Sequence, residues 1–205
     1  MVIVGLTGSI ATGKSTIARM FARAHIPVCD ADAIIHQLIG PKGPAVSSLL
    51  DRFGDVGSVA TGIDRAALGA AIFASPDKRR DLEALLHPLV AEARAKFLKQ
   101  MRARYQKAVI LDVPLLFETG TDALCDVTIT SWAPEFLVRQ RALARPHMTE
   151  SKLDGILAAQ LSQFEKKQRA DIAIATGLGY FHMMRQLKPF IARLQAGHLA
   201  EKGRS

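Results

Sequence analysis

The chain has 205 residues, of which 49% are hydrophobic, 22% charged and 6% aromatic. That length holds one core, or one core with a smaller inserted unit, and the composition excludes disordered and fibrous classes. Lys plus Arg total 27 against 19 Asp plus Glu, a net charge of +8, so polyanions are attracted and nucleotides and nucleic acids both qualify as partners. Charges such as Asp30, Lys42 and Asp51 break every apolar run before it reaches the roughly 18 residues a membrane span needs. The apolar N-terminal stretch lacks a positive flank and a small-residue cleavage site, so it does not read as a signal peptide and a cytoplasmic location is expected. Cys29 and Cys125 have no metal-ligand spacing and are expected as reduced core thiols.

Residues 2–6 are continuously apolar and β-branched, closed by Thr7-Gly8, the pattern of a strand buried on both faces of a parallel sheet. From Lys14, the apolar positions Ile17, Ala18, Met20, Phe21 and Ala24 recur at helical spacing, predicting a helix to about His25. Further short strands are predicted at residues 27–30, 109–113, 126–130 and 171–175, with helical stretches between most of them. Strands alternating with helices predict an α/β fold with a doubly wound, mostly parallel five-stranded sheet that binds ligands at the carboxyl ends of its strands.

Residues 33–107 are far more than one crossover requires, and Leu82, Leu85, Leu86, Leu89 and Val90 have helical spacing, so an inserted helical subdomain is expected there. Turns fall at Gly40-Pro41-Lys42-Gly43-Pro44 and at residues 54–62, the second read as a mobile loop. His87-Pro88 reads as the end or the kink of a helix, with His87 a packed or capping residue on those grounds. Trp132 follows the fourth strand, where it could stack on a base or pack at the surface. Thr149 reads as the N-cap of one long helix carrying Lys166, Lys167 and Arg169, and residues 197–205 as a polar, fraying tail.

The chemistry is concentrated in Gly8-Ser9-Ile10-Ala11-Thr12-Gly13-Lys14-Ser15. It matches GxxxxGK[ST] at every fixed position, follows an apolar strand and opens a helix, which is the context of a P-loop. Gly8 and Gly13 permit backbone angles that turn successive amides toward a β-phosphate, and the helix N-terminus adds its positive end. Lys14 is placed to reach the β- and γ-phosphates, Ser15 to ligate Mg²⁺, and Thr16 to lie near the α-phosphate.

Such a loop does not say where the phosphoryl group goes, so other residues must decide. Asp30-Ala31-Asp32 stands at the carboxyl end of the second strand, where one carboxylate could take a hydroxyl proton. On an extended chain the two would point the same way, helix onset after Asp30 would splay them, and Asp32 also reads as an ordinary helix cap. Asp112 ends an apolar strand, as does the acid that holds a Mg²⁺-bound water in P-loop proteins, although simple solvation of a strand end has the same pattern. Pro114-Leu115-Leu116-Phe117-Glu118 leaves that strand on the same edge, and Glu118 could contact an acceptor. Arg141 and Arg145 are four apart in a basic stretch that also holds Arg139. On one helical face they would close over a triphosphate as a lid; the bland alternative is a solvated basic face.

Taken together, the glycine loop, Cys29-Asp30-Ala31-Asp32, residues 41–45, Phe53-Gly54, Asp64-Arg65, Leu86-His87-Pro88-Leu89, Val113-Pro114-Leu115-Leu116-Phe117-Glu118, Gln160 and Ala170-Asp171 resemble the dephospho-CoA kinase family over nearly the whole chain. The resemblance implies a P-loop NTPase-type core at about residues 1–32, 106–138 and 169–197, an acceptor-binding helical insertion at 33–105 and a lid at 139–168, with 198–205 as tail. It implies transfer from ATP, with Mg²⁺, to the 3′-hydroxyl of dephospho-coenzyme A. The catalytic set is then Lys14, Asp30, Asp32 and Arg141, with Asp32 favoured over Asp30 as base; Gly8, Ala11, Thr12, Gly13, Lys14, Ser15, Thr16 and Arg145 bind nucleotide. Ser15 and Asp112 are the metal-side residues, and Asp30, Asp32, His87, Leu115 and Glu118 the acceptor-side ones. It further implies a monomer or small homo-oligomer that binds neither nucleic acid nor membrane. Ala11 and Thr12 stand where the family usually has Gly and Ser, and Ile174-Ala175-Thr176-Gly177-Leu178-Gly179 replaces the usual Asn and Gly near the adenine. Two alternatives share the loop: another nucleoside or nucleotide kinase, and a nucleotide-dependent nucleic-acid-binding module.

Overall fold

The computed structural model describes residues 1–73 and 75–199. The chain divides into two units, Met1–Cys29 with Met101–Ser205, and Asp30–Gln100.

In the first unit, β1 (Val2–Gly8) is buried at all seven positions, as a central strand covered on both faces must be. It pairs in parallel with β5 (Ala108–Asp112) on one side and β6 (Val127–Trp132) on the other, and β6 pairs with β7 (Ile172–Ala175). With β2 (Val28–Asp30) outside β5, the order is β2-β5-β1-β6-β7. The five strands are those predicted, with ends displaced by a residue or two. The register sets Leu6 opposite Asp112 and Gly8 opposite Ser131, so side chains from both neighbours meet the chain where it leaves β1.

Helix α1 (Lys14–Arg23) covers the sheet with Ile17, Met20 and Phe21, and α9 (Tyr180–Ala196) does so with Met183, Leu187, Phe190, Ile191 and Leu194. They pack with Val2, Val4, Leu6, Ile110, Ile129 and Ile174 into one core; each large apolar side chain buried there contributes roughly 1.5–3 kcal/mol. Cys29 and Cys125 are both buried, as core residues are expected to be.

The single long helix expected after Thr149 is two helices. Thr149 does cap α7 (Glu150–Ala158), accepting from Lys152 N at 3.2 Å, but α8 (Gln163–Arg169) starts afresh at Ser162. Ser162 and Glu165 form a reciprocal capping box, which pairs two of the backbone donors that a new helix start leaves without intrahelical partners. The signal lay in the sequence as Ser-x-x-Glu.

The second unit holds α2 (Ala31–Ile39), α3 (Val46–Phe53), α4 (Arg65–Phe73) and most of α5 (Pro76–Ala103), around Leu38, Ile39, Val46, Leu49, Ile63, Leu68 and Leu86. Residues 54–62, expected as a turn region, hold a short antiparallel hairpin of β3 (Gly57–Ser58) and β4 (Gly62–Ile63); Val56 is buried, and its carbonyl accepts from Asp64 N at 2.7 Å. Of the two readings of His87-Pro88, the end of a helix is set aside, because α5 runs through Pro88, with Leu85, Leu86 and Leu89 packed in the core on either side of it. Gly197 closes α9 at φ 78°, and residues 200–205 of the expected tail lie outside the described residues. No helix among the described residues is long and apolar enough to cross a membrane.

Candidate active site

The loop between β1 and α1 is shaped by what touches it. A Cβ at Gly8 would fall 2.0 Å from Ser131 Oγ and 2.8 Å from Thr12 Oγ1, so only glycine lets β1 run this close to β6. Gly13 is left-handed at φ 93° and starts α1, whose first turn carries no acidic residue to compete with an anion. Ala11 also adopts a left-handed φ of 59°, at a cost of about 1–2 kcal/mol, so the non-glycine residue at that position does take up the loop geometry.

Thr12 Oγ1 donates to Ser9 O at 2.7 Å and shares a second hydrogen bond of 2.7 Å with Ser131 Oγ. From the end of β7, Thr176 Oγ1 donates to Thr12 O at 2.6 Å. Ser131 and Thr176 therefore hold the loop from two neighbouring strands, and no motif marks either of them. Local pattern shows which residues form the loop, not which strands run beside it.

Lys14 Nζ donates to Asp112 Oδ1 at 2.5 Å, with side-chain exposures of 13% and 5%. Asp112 is thus a covered partner of the loop lysine and not a solvated strand end. Ser15 lies beside Lys14 on the first turn of α1, so the predicted loop residues and Asp112 gather at the carboxyl ends of β1 and β5.

In the second unit, Asp30 is the cap of α2: its Oδ1 accepts from Asp32 N at 2.9 Å and Ala33 N at 3.2 Å. The helix begins at once, which splays the two carboxylates, and the capping role weighed for Asp32 belongs to Asp30. Asp32 is exposed on the first turn, and His87 is exposed on α5.

The basic stretch behaves differently from a uniform lid. Arg141, on α6 (Glu135–Leu143), donates to Thr176 O at 3.2 Å. Arg145 lies beyond the cap residue Ala144 and is exposed, so the two arginines do not share a helical face as expected; the helix ends between them. Arg139 binds Glu150 and, at 2.9 Å, Asp154, tying α6 to α7, and its hydrogen bonds to Asp154 and then Glu150 hold its guanidinium pKa above the ordinary value.

A family profile described as Dephospho-CoA kinase matches residues 2–178. The chain belongs to the dephospho-CoA kinase family. Dephospho-CoA kinase of Rhodospirillum rubrum is 46% identical over 195 residues, spanning 95% of this chain and 92% of the relative. A crystal structure from Thermus thermophilus matches with TM-score 0.80 at 30% identity, covering 94% of this chain and 97% of that one. Dephospho-CoA kinase from Campylobacter jejuni matches with TM-score 0.68 at 25% identity, covering 96% and 98%.

Within this kinase, α8 is fastened to the sheet and does not present free cations. Lys166 is fully buried, Lys167 Nζ sits 4.5 Å from the centroid of the Trp132 ring, and Arg169 lies 4.6 Å from that of Phe117. Trp132 thus has a lysine over one face. Glu118, expected on the acceptor side, accepts from Lys166 Nζ at 3.0 Å and from Leu161 N at 2.9 Å, both at Oε1. Leu115, three residues earlier, is exposed. Charge periodicity misplaces Lys166 because a buried cation and a surface cation look alike in sequence.

Proposed function

We propose that the chain moves the γ-phosphoryl group of ATP to the 3′-hydroxyl of dephospho-coenzyme A, giving coenzyme A and ADP. The observation that carries this reading is the braced glycine loop with Lys14 on Asp112, in a chain that matches the family over residues 2–178. The amides of residues 8–13 and the start of α1 surround the β-phosphate, and Lys14 exchanges Asp112 for phosphate oxygens as a point charge. Ser15 and Asp112 offer the hard oxygen donors that Mg²⁺ takes, few enough to leave positions for water and phosphate. Bound there, Mg²⁺ supplies neutralisation of charge on the β- and γ-oxygens.

On this reading the unit Asp30–Gln100 binds the acceptor, with His87 on α5 and Leu115 after β5 among its contacts. Asp32 takes the 3′-hydroxyl proton as that oxygen bonds to the γ-phosphorus and the bridge to ADP breaks; Asp30 sets Asp32 by capping α2. Arg141 and Arg145 balance charge over the phosphates, Arg141 already oriented by Thr176. Lid motion falls to residues 139–158, since α8 is held by Lys166, Lys167 and Arg169. The same commitments argue against a nucleic-acid surface, and a cytoplasmic monomer or small homo-oligomer fits the reading.

The test is ADP release from ATP and Mg²⁺ with dephospho-coenzyme A, adenosine, cytidylate, shikimate or RNA in parallel. Release that depends on dephospho-coenzyme A alone is the expected result, and acceptor-independent hydrolysis, or a response to another acceptor, overturns it. Asp32→Asn is expected to lower kcat by about 10²–10⁴-fold.

A further inference from the structure

Lys166 is the one lysine among the described residues that is fully covered, yet the transfer outlined above does not use it. Its Nζ donates to Pro114 O at 2.7 Å and to Glu118 Oε1 at 3.0 Å. Each acceptor serves a second segment: Pro114 O also accepts from Thr7 Oγ1 at 2.9 Å, and Glu118 Oε1 from Leu161 N at 2.9 Å. Thr7 immediately precedes Gly8, Pro114 follows Asp112 by two residues, and Leu161 lies in the break between α7 and α8. One ammonium and one carboxylate therefore join the end of β1, the turn after β5 and the base of the α6–α7 arm.

A buried ion pair is costly to desolvate, and an apolar pair of similar volume often stabilises a fold as well or better. The hydrogen-bond pattern gives this pair another use, because an apolar pair would leave Pro114 O and Leu161 N without these partners. Burial lowers the Lys166 pKa, Glu118 opposes that shift, and the charge of Lys14 adds to it, so the two cations feel each other's field.

We propose that Lys166 and Glu118 are a positioning pair for phosphoryl transfer: they hold the strand end carrying Asp112, and the turn carrying Leu115, in register with the base of the α6–α7 arm. The inference rests on the proposed kinase reading. Neither residue need touch the substrate; the pair acts through Pro114 and Leu161.

The test compares Lys166→Met, Glu118→Ala and Glu118→Gln, reading kcat and KM for both substrates, and ATP affinity from the fluorescence of Trp132, the sole tryptophan. Lys166→Met and Glu118→Ala are expected to lower kcat about tenfold or more with ATP affinity within about threefold of the parent, because misplacement rather than binding is at fault. Glu118→Gln keeps an oxygen for both donors and is expected to retain most of kcat. The double variant Lys166→Met/Glu118→Ala should lose no more than either single one, as for residues acting as a unit.

Parental kcat and KM in folded Lys166→Met overturn the inference. So does a loss of activity that only follows the loss of folded protein in near-ultraviolet circular dichroism. Should Lys166→Met fail to fold, the Glu118 variants decide: equal kcat in Glu118→Ala and Glu118→Gln overturns the proposal, and rescue by Gln upholds it. A parent enzyme without release dependent on dephospho-coenzyme A sinks the kinase reading instead, a separate result in the same assay.

Discussion

Lys14 and Lys166 meet carboxylates beside the same strand end, one bound to Asp112 and the other to Glu118 and Pro114 O. Lys14 retains 13% of its side-chain exposure and Lys166 none. Lys14 comes from the residue directly after a glycine, on the first turn of α1, while Lys166 reaches Pro114 across 52 residues of sequence. A lysine that is to exchange a carboxylate for phosphate must stay reachable. One that fixes backbone is better sealed from water, where a competing hydrogen bond cannot form. The comparison separates a group that reacts to ligand from one that sets the frame around it.

The sharpest way to break that comparison is Lys14→Met, expected to reduce ADP release by about 10²–10³-fold through loss of charge stabilisation in the transfer. The effect should exceed that of Lys166→Met in the same assay; the reverse order would exchange the roles assigned to the two lysines. A smaller effect is expected for Thr176→Val, which keeps the shape but removes the 2.6 Å bond to Thr12 O. Thr176 is buried, so the change costs about 1–3 kcal/mol, read as a lower thermal midpoint together with weaker ATP binding by Trp132 fluorescence.

The smallest effect concerns how α8 begins. Hydrogen bonds from Ser162, first its side chain and then its backbone, hold the Glu165 carboxyl below the ordinary glutamate range. A depressed carboxylate pKa stabilises the fold above the unfolded-state value, and that contribution is lost as pH falls through the folded value. Parent and Glu165→Gln should therefore differ slightly in thermal midpoint near neutrality and converge in acid. A gap that widens on acidification would contradict the capping box as its source.

The loop and its helix were legible because their geometry is local. Gly8, Gly13, Lys14 and Ser15 stand within one short stretch between an apolar strand and an amphipathic helix, and backbone sterics there depend on neighbours in sequence. The α6–α8 segment was less legible. Arg141 and Arg145 have helical spacing, but α6 ends at Leu143, and the capping box at Ser162 outweighs the continued helical pattern. Asp30 rather than Asp32 became the cap of α2 because helix onset depends on which carboxylate can reach two free amides, and Asp30 does.

By itself the sequence determined the alternation of buried strands and helices and the phosphate loop, because apolar periodicity and glycine placement act over a few residues. Only the tertiary structure decided that Asp112 meets Lys14, that Ser131 and Thr176 brace the loop, and that Lys166 is sealed against Glu118. Those pairings join residues from 48 to 164 positions apart. They exist because the parallel order β2-β5-β1-β6-β7 brings β5 and β6 against β1, with β7 beside β6, a proximity that no local pattern encodes.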